Sequence, residues 1–172
     1  MKWAISSLSF PDALQRKIEA AAAAGFSGFE IFHEDLIYSG VPVADMARFA
    51  RDLGVEIVSL QSLRDYEAAP AGLRDWNAKR AGRMLDLAAA IGARMLIVCS
   101  NTRADALDDP AQAARDLAEL ADRAAGRGLS IGYEALSTGR RVRTFDHAHA
   151  LVERADRPNL GLVLSVAHTV FA

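Results

Sequence analysis

The chain has 172 residues, 51% hydrophobic and 24% charged, and its 20 Lys and Arg against 22 Asp and Glu leave a net charge of −2 with His neutral. That length suits one sizeable core, so a single domain over residues 1–172 is expected. The balanced charge gives no electrostatic footprint for nucleic acid or an anionic membrane, because the basic residues are scattered apart from Arg140, Arg141 and Arg143 in one loop.

Along the chain the first apolar run is 3–8. Pro11 follows at a probable first helical position, with Ser9 as candidate N-cap. A helical pattern then closes at Ala24 and Gly25, and a second run occupies 28–32. Another closes at Leu53 and Gly54 before the run 55–60, and a third at Ile91 and Gly92 before 95–98. Asp109 and Pro110 open a helix that ends at Arg127 and Gly128, ahead of the run 129–133. Thr144 opens a segment carrying Phe145, Ala148 and Val152 along one side; it stops at Arg157, Pro158 and Asn159, before the run 160–164. Gly or Asn past a helix end supplies the left-handed turn that an αβ junction needs, and Pro stops the helix outright. Trp3 and Trp76 read as packing residues.

Six short apolar runs alternating with five helical patterns predict an α/β fold of parallel strands joined by right-handed crossovers. A closed barrel and an open doubly wound sheet compete. An open nucleotide-binding sheet announces itself by a glycine-rich turn after its first strand, and Ser6, Ser7, Leu8, Ser9 and Phe10 contain no glycine. The expectation is therefore a (β/α) barrel of TIM type, incomplete, since such barrels use eight units and about 250 residues. Its first and sixth strands would stand as apolar edges, which favours self-association into a homo-oligomer. The N-terminal segment lacks a signal-peptide core, and no stretch approaches the roughly 18 apolar residues of a membrane span. With the single Cys99 suiting a reducing compartment, a cytoplasmic location is expected.

In such barrels chemistry sits at the C-terminal strand ends, where this sequence turns polar. His33, Glu34 and Asp35 follow the second strand, and Gln61, Arg64 and Asp65 the third. Cys99, Ser100 and Asn101 follow the fourth, Glu134 tips the fifth, and Ser165 and His168 follow the sixth. Glu134 is an isolated charge in apolar company and needs a partner, either a metal or an arginine such as Arg140 or Arg64. His168 reads as a base, a ligand or a structural histidine. His147 and His149 lie two apart on one helix and do not share a face, so they read as surface residues. Cys99 reads as a small buried residue rather than a nucleophile.

The segments 24–32 and 63–67, Cys99 with Ser100 and Asn101, 132–136 with Gly139 and Arg140, and 160–164 followed by His168 resemble the sugar phosphate isomerase/epimerase group of xylose isomerase-like TIM barrels. Within it they look most like the bacterial 3-dehydroshikimate dehydratases. The resemblance implies a divalent metal (Mg, Mn or Co) held on strand tips, polarising a substrate carbonyl while a base removes the adjacent proton. It makes Glu134 a metal ligand, His168 the base, and Arg64 a contact to the substrate carboxylate, with Arg140 leaning the same way towards a small acidic or sugar-like substrate. It also marks departures: Ser165 stands where the family has a metal-binding Asp, and Thr138, Arg141 and Arg143 replace Trp, His and Asn. Ligands from the family's seventh and eighth strands lie beyond residue 172. Metal binding and turnover by this chain are therefore expected to be weak or absent. Three readings follow: a dehydratase (a lyase forming protocatechuate), a sugar phosphate isomerase or epimerase, and a non-catalytic self-associating relic. A zinc endonuclease would need more strand-tip histidines than His33 and His168 and a more basic face.

Overall fold

The structure is a computed structural model, which describes residues 3–170. Strand β1 (Ala4–Ser6) and a 3-10 turn (Ser7–Ser9) lead into α1 (Leu14–Ala23), β2 (Gly28–Phe32), α2 (His33–Tyr38), α3 (Val43–Asp52) and β3 (Glu56–Arg64). A second 3-10 turn (Ala71–Leu73) precedes α4 (Arg74–Ile91), β4 (Met95–Cys99), α5 (Pro110–Ala125), β5 (Ser130–Glu134), α6 (Phe145–Ala155), β6 (Leu160–Val163) and α7 (Val166–Val170).

All neighbouring strands pair in parallel, in the order β1-β2-β3-β4-β5-β6. A doubly wound sheet reverses its strand order at a switch point, and here there is none. Right-handed crossovers between successive neighbours place their helices on one side of the sheet, as in a barrel wall. The described sheet is open, with β1 and β6 at its edges.

Strand alternation splits the core into two layers. Leu96, Val98, Ile131 and Tyr133 face the helices and pack with Ile18, Leu85, Leu117 and Leu120 in the main cluster. Ile97, Cys99 and Leu136, with Met95 and Val163, form a smaller cluster on the opposite, lumen-side face. Gly132 sits under that second cluster, where a Cβ would lie 2.6 Å from Val163 and 2.8 Å from the Met95 sulfur.

Five helices were expected, and seven are present among the described residues. The additions are the short α2 and α7, five or six residues each, too brief to show a helical period. Asp109 caps α5 as anticipated, its Oδ1 accepting from Gln112 N at 2.9 Å with Pro110 in the first turn. Thr144 likewise caps α6 through His147 N. Ser9 does not cap α1: it belongs to the 3-10 turn that Ser6 caps, and the helix starts four residues after Phe10, at Leu14, behind Ala13. Gly25, Gly54, Gly92 and Gly128 take the left-handed conformation at their junctions. At the fifth junction Asp156 does so (φ 50°), not Asn159. Asn159 instead donates its side-chain amide to the carbonyls of Ala121 and Leu129.

The tryptophans correct the reading of them as packing residues, because Trp3 is 62% and Trp76 58% exposed. Trp76 lies on the solvent side of α4, where the Arg80 guanidinium stands 4.7 Å over its ring. Among the described residues no helix is long and apolar enough to cross a membrane.

Candidate functional site

The polar groups gather at the C-terminal ends of β1 to β5, on the lumen side. Glu30 of β2 pairs in register with Ser59 of β3 and accepts from its hydroxyl at 2.7 Å. The Gln61 side-chain amide donates to the other Glu30 oxygen at 2.6 Å and to Ser6 Oγ at 2.9 Å. These four side chains form one hydrogen-bonded floor across three strands. Glu30 was not singled out in the sequence, although a charge inside an apolar run is the same signal that marked Glu134.

Glu134, at the tip of β5, is half-buried and stands in register with Cys99 of β4. The Cys99 thiol donates to Glu134 Oε2 at 3.5 Å. Burial raises the Glu134 carboxyl above its ordinary range, while the thiol and the charges of His168 and Arg64 pull it back down and Glu30 pushes it up. Of the two partners weighed for Glu134, a metal or an arginine, the arginine alternative is absent: no ion pair with Arg64 or Arg140 forms among the described residues. Arg64 closes β3 with its side chain exposed and its Nε on Ser62 Oγ at 3.2 Å, so it acts on Glu134 only through its field. Arg140 is exposed, and its backbone N–H donates to the Asn101 carbonyl at 2.7 Å. Burial, reinforced by Glu134, lifts the Cys99 thiol to about 12, which keeps it protonated and able to donate.

His168 lies in α7, with its backbone N–H 3.5 Å from Ser165 Oγ. Ser137 donates its backbone N–H to His168 Nδ1 at 3.3 Å, and its hydroxyl lies 3.1 Å from the same atom. An Nδ1 that accepts from a backbone amide carries no proton, so the neutral ring holds its proton on Nε2. In this arrangement Nε2 donates a hydrogen bond; accepting a proton there requires release of the Ser137 contact and a shift of the ring proton to Nδ1.

The remaining strand-tip residues divide by task. Asp35 pairs with Lys17 at 3.0 Å, and that buried ammonium also donates to the Ser7 carbonyl, tying α2 to α1. His33 Nδ1 rests 3.2 Å from the Gln61 carbonyl at the start of α2, a helix where a loop was expected. His147 and His149 are exposed, as anticipated. Ser100 Oγ accepts from Leu136 N at 3.0 Å. Gly139 comes so near that a Cβ would lie 2.6 Å from that oxygen and 2.0 Å from the Val142 carbonyl.

Glu67, three residues past β3, is buried behind the sheet. Its Oε1 accepts from Asn101 N at 2.6 Å and from Tyr133 OH at 2.9 Å, and its backbone carbonyl takes the Asn101 side-chain amide at 2.8 Å. Burial lifts its carboxyl to about 7, against the pull of those donors.

A divalent cation such as Mg²⁺ or Ca²⁺ takes roughly six or more oxygen ligands. Glu134 offers one carboxylate and Ser165 a neutral hydroxyl, and among the described residues no group of three or more His, Cys, Asp or Glu could hold an ion. The donor set of this chain does not by itself fit a catalytic metal.

Comparison with known proteins places this geometry among relatives. Residues 18–172 match the family described as xylose isomerase-like TIM barrel. A 3-dehydroshikimate dehydratase of Pseudomonas aeruginosa is 48% identical over 171 residues, which is 99% of this chain and 27% of the relative. The structure of a xylose isomerase-like TIM barrel/4-hydroxyphenylpyruvate dioxygenase fusion protein superposes with a TM-score of 0.96 at 41% identity, covering 99% of this chain and 27% of that one. The IOLI protein, whose structure contains a zinc atom, shares the fold with a TM-score of 0.86 at 19% identity, covering 98% of this chain and 64% of its own. The chain thus spans about a quarter (27%) of the length of the curated relative it matches.

Proposed function

The chain belongs to the xylose isomerase-like TIM barrel family, and on that footing we propose that it carries part of the active site of a dehydratase acting on 3-dehydroshikimate. The observation that carries the reading is Glu134, a half-buried carboxylate at a strand tip that feels both His168 and Arg64. Identity of 48% to a 3-dehydroshikimate dehydratase along almost the whole chain supports the choice of substrate.

The reaction removes a C–H proton beside a carbonyl and expels a hydroxyl as water. Arg64, exposed at the end of β3, and Arg140 offer guanidinium groups to the substrate carboxylate. His168 handles protons in this reading. Released from Ser137, with its ring proton on Nδ1, it suits the abstraction at Nε2, and the imidazolium so formed can pass that proton to the leaving hydroxyl. The zinc bound in the IOLI protein supports metal binding within this fold, and Glu134 is the carboxylate of this chain proposed for it. In this chain Ser165 leaves that position short of a carboxylate.

The test combines metal titration with turnover. The 172-residue chain is expected to bind Mn²⁺ weakly and to form protocatechuate slowly or not at all. Ser165→Asp is expected to tighten Mn²⁺ at least about tenfold, measured by calorimetry, since a second carboxylate joins the first. Unchanged affinity in that variant would overturn the assignment of Glu134. Turnover of the unaltered chain at an ordinary enzymatic rate would overturn the view that its metal position is incomplete.

A further inference from the structure

On the helix side of the sheet, between α5, α6 and the loops that follow β3, β4 and β5, lies a cavity of about 260 Å³. Its walls are mainly apolar and include Ala68, Leu107, Ala113, Val142 and Leu151, with Glu67 among them. Glu67 is 2% exposed, and its Oε2 is fully buried with no hydrogen-bond partner. The donors within hydrogen-bond reach of the carboxylate serve its other oxygen or its backbone. Asn101 N and Tyr133 OH serve Oε1, and the Asn101 side-chain amide serves the Glu67 carbonyl. A buried acceptor left unmet is costly, so an oxygen of this kind beside an empty apolar volume calls for a donor from outside the chain.

The cavity's size and charge narrow the donor. A dry cavity of about 150 Å³ already takes a benzene-sized ring, so this one has room for a ring and one substituent. Asp108 and Arg141, exposed and paired at 3.0 Å, mark its solvent side. Glu67, Asp108 and Asp109 oppose an anion; Arg141 is taken up by Asp108 and His147 lines the rim, while the mainly apolar walls make desolvating an ammonium costly and favour a neutral ligand. We propose that this cavity is a binding site for a small neutral single-ring aromatic alcohol, whose hydroxyl donates to Glu67 Oε2 while its ring packs between α5 and α6. The site is separate from the lumen. Tyr133 reaches towards it from β5, while the next residue, Glu134, faces the other side of the sheet. The proposal therefore stands whatever the fate of the dehydratase reading.

Phenol is the probe and anisole its control, the same ring without a donor. Titrations use the whole chain at about pH 8.5, where Glu67 is ionised and phenol is not. The readout is the NMR shift of the Asn101 amide, whose N–H sits on Glu67 Oε1. Phenol is expected to saturate that shift with a dissociation constant on the order of millimolar and to bind at least about tenfold tighter than anisole. Ala113→Leu, which fills the cavity from α5, is expected to abolish both titrations while circular dichroism stays native. The proposal is overturned if phenol fails to saturate, if anisole binds as tightly, or if a folded Ala113→Leu variant titrates like the unaltered chain. The ligand comparison needs no variant, so the test survives if Ala113→Leu does not fold.

Discussion

Glu67 couples the fold to pH. Its carboxyl rests at about 7 against an ordinary 4.5, chiefly through burial, so between those values the folded chain holds a proton that the unfolded chain has released. Stability is then greatest below the unfolded value and falls as pH rises towards 7, by roughly 3 kcal/mol in all. Glu134 and Asp116, both raised by burial, push the same way. In Glu67→Gln, which keeps a carbonyl for Asn101 and Tyr133, urea midpoints are expected to decline less steeply across that range. A decline as steep as in the unaltered chain would locate the effect elsewhere. Cys99 gives a second test: 3% exposed and with its thiol lifted to about 12, it is expected to resist a thiol reagent at pH 8 until the chain is denatured. Labelling of the native protein would contradict that burial. Glu134 was legible in the sequence because its neighbours are apolar, and Cys99 because nothing near it could activate a thiol. Glu67 was not, since its role depends on Tyr133, 66 positions away.

Among the elements, the helices legible in the sequence are those of several turns, whether a side chain caps them, as in α5 and α6, or not, as in α1, α3 and α4. Asp109→Ala removes the cap of α5 and is expected to lower stability by about 1 kcal/mol, read from thermal or urea unfolding. The same change at Ser9, the cap that did not form, is expected to cost far less. Residues 33–38 were read as a polar loop because a six-residue helix with a single buried side chain, Leu36, shows no period. What holds α2 is tertiary: Lys17 reaches from α1 to Asp35, and Ser7 Oγ accepts from Phe32 N at 2.9 Å. Strand β3 runs to Arg64 rather than stopping at Leu60, which puts Gln61 inside the sheet, where it can reach both Glu30 and Ser6. Local pattern marked where strands begin; their ends were set by pairing with neighbours.

Over the whole molecule, five αβ junctions and the absence of a glycine-rich first turn were enough to choose the barrel type, and the unbroken strand order agrees. The two edges of the open sheet, together with exposed Leu8, Leu164 and Val166, favour association of the isolated chain. Light scattering at tens of micromolar is expected to show a dimer or larger species, and a clean monomer would count against it. The strand order also bears on how the molecule comes into being. Each strand pairs with the one made just before it, so no segment must wait for a partner made much later. A nascent polypeptide emerging at roughly 5–20 residues per second can lay these units down in turn, each resting on a finished neighbour. An order of this kind lets assembly follow synthesis unit by unit.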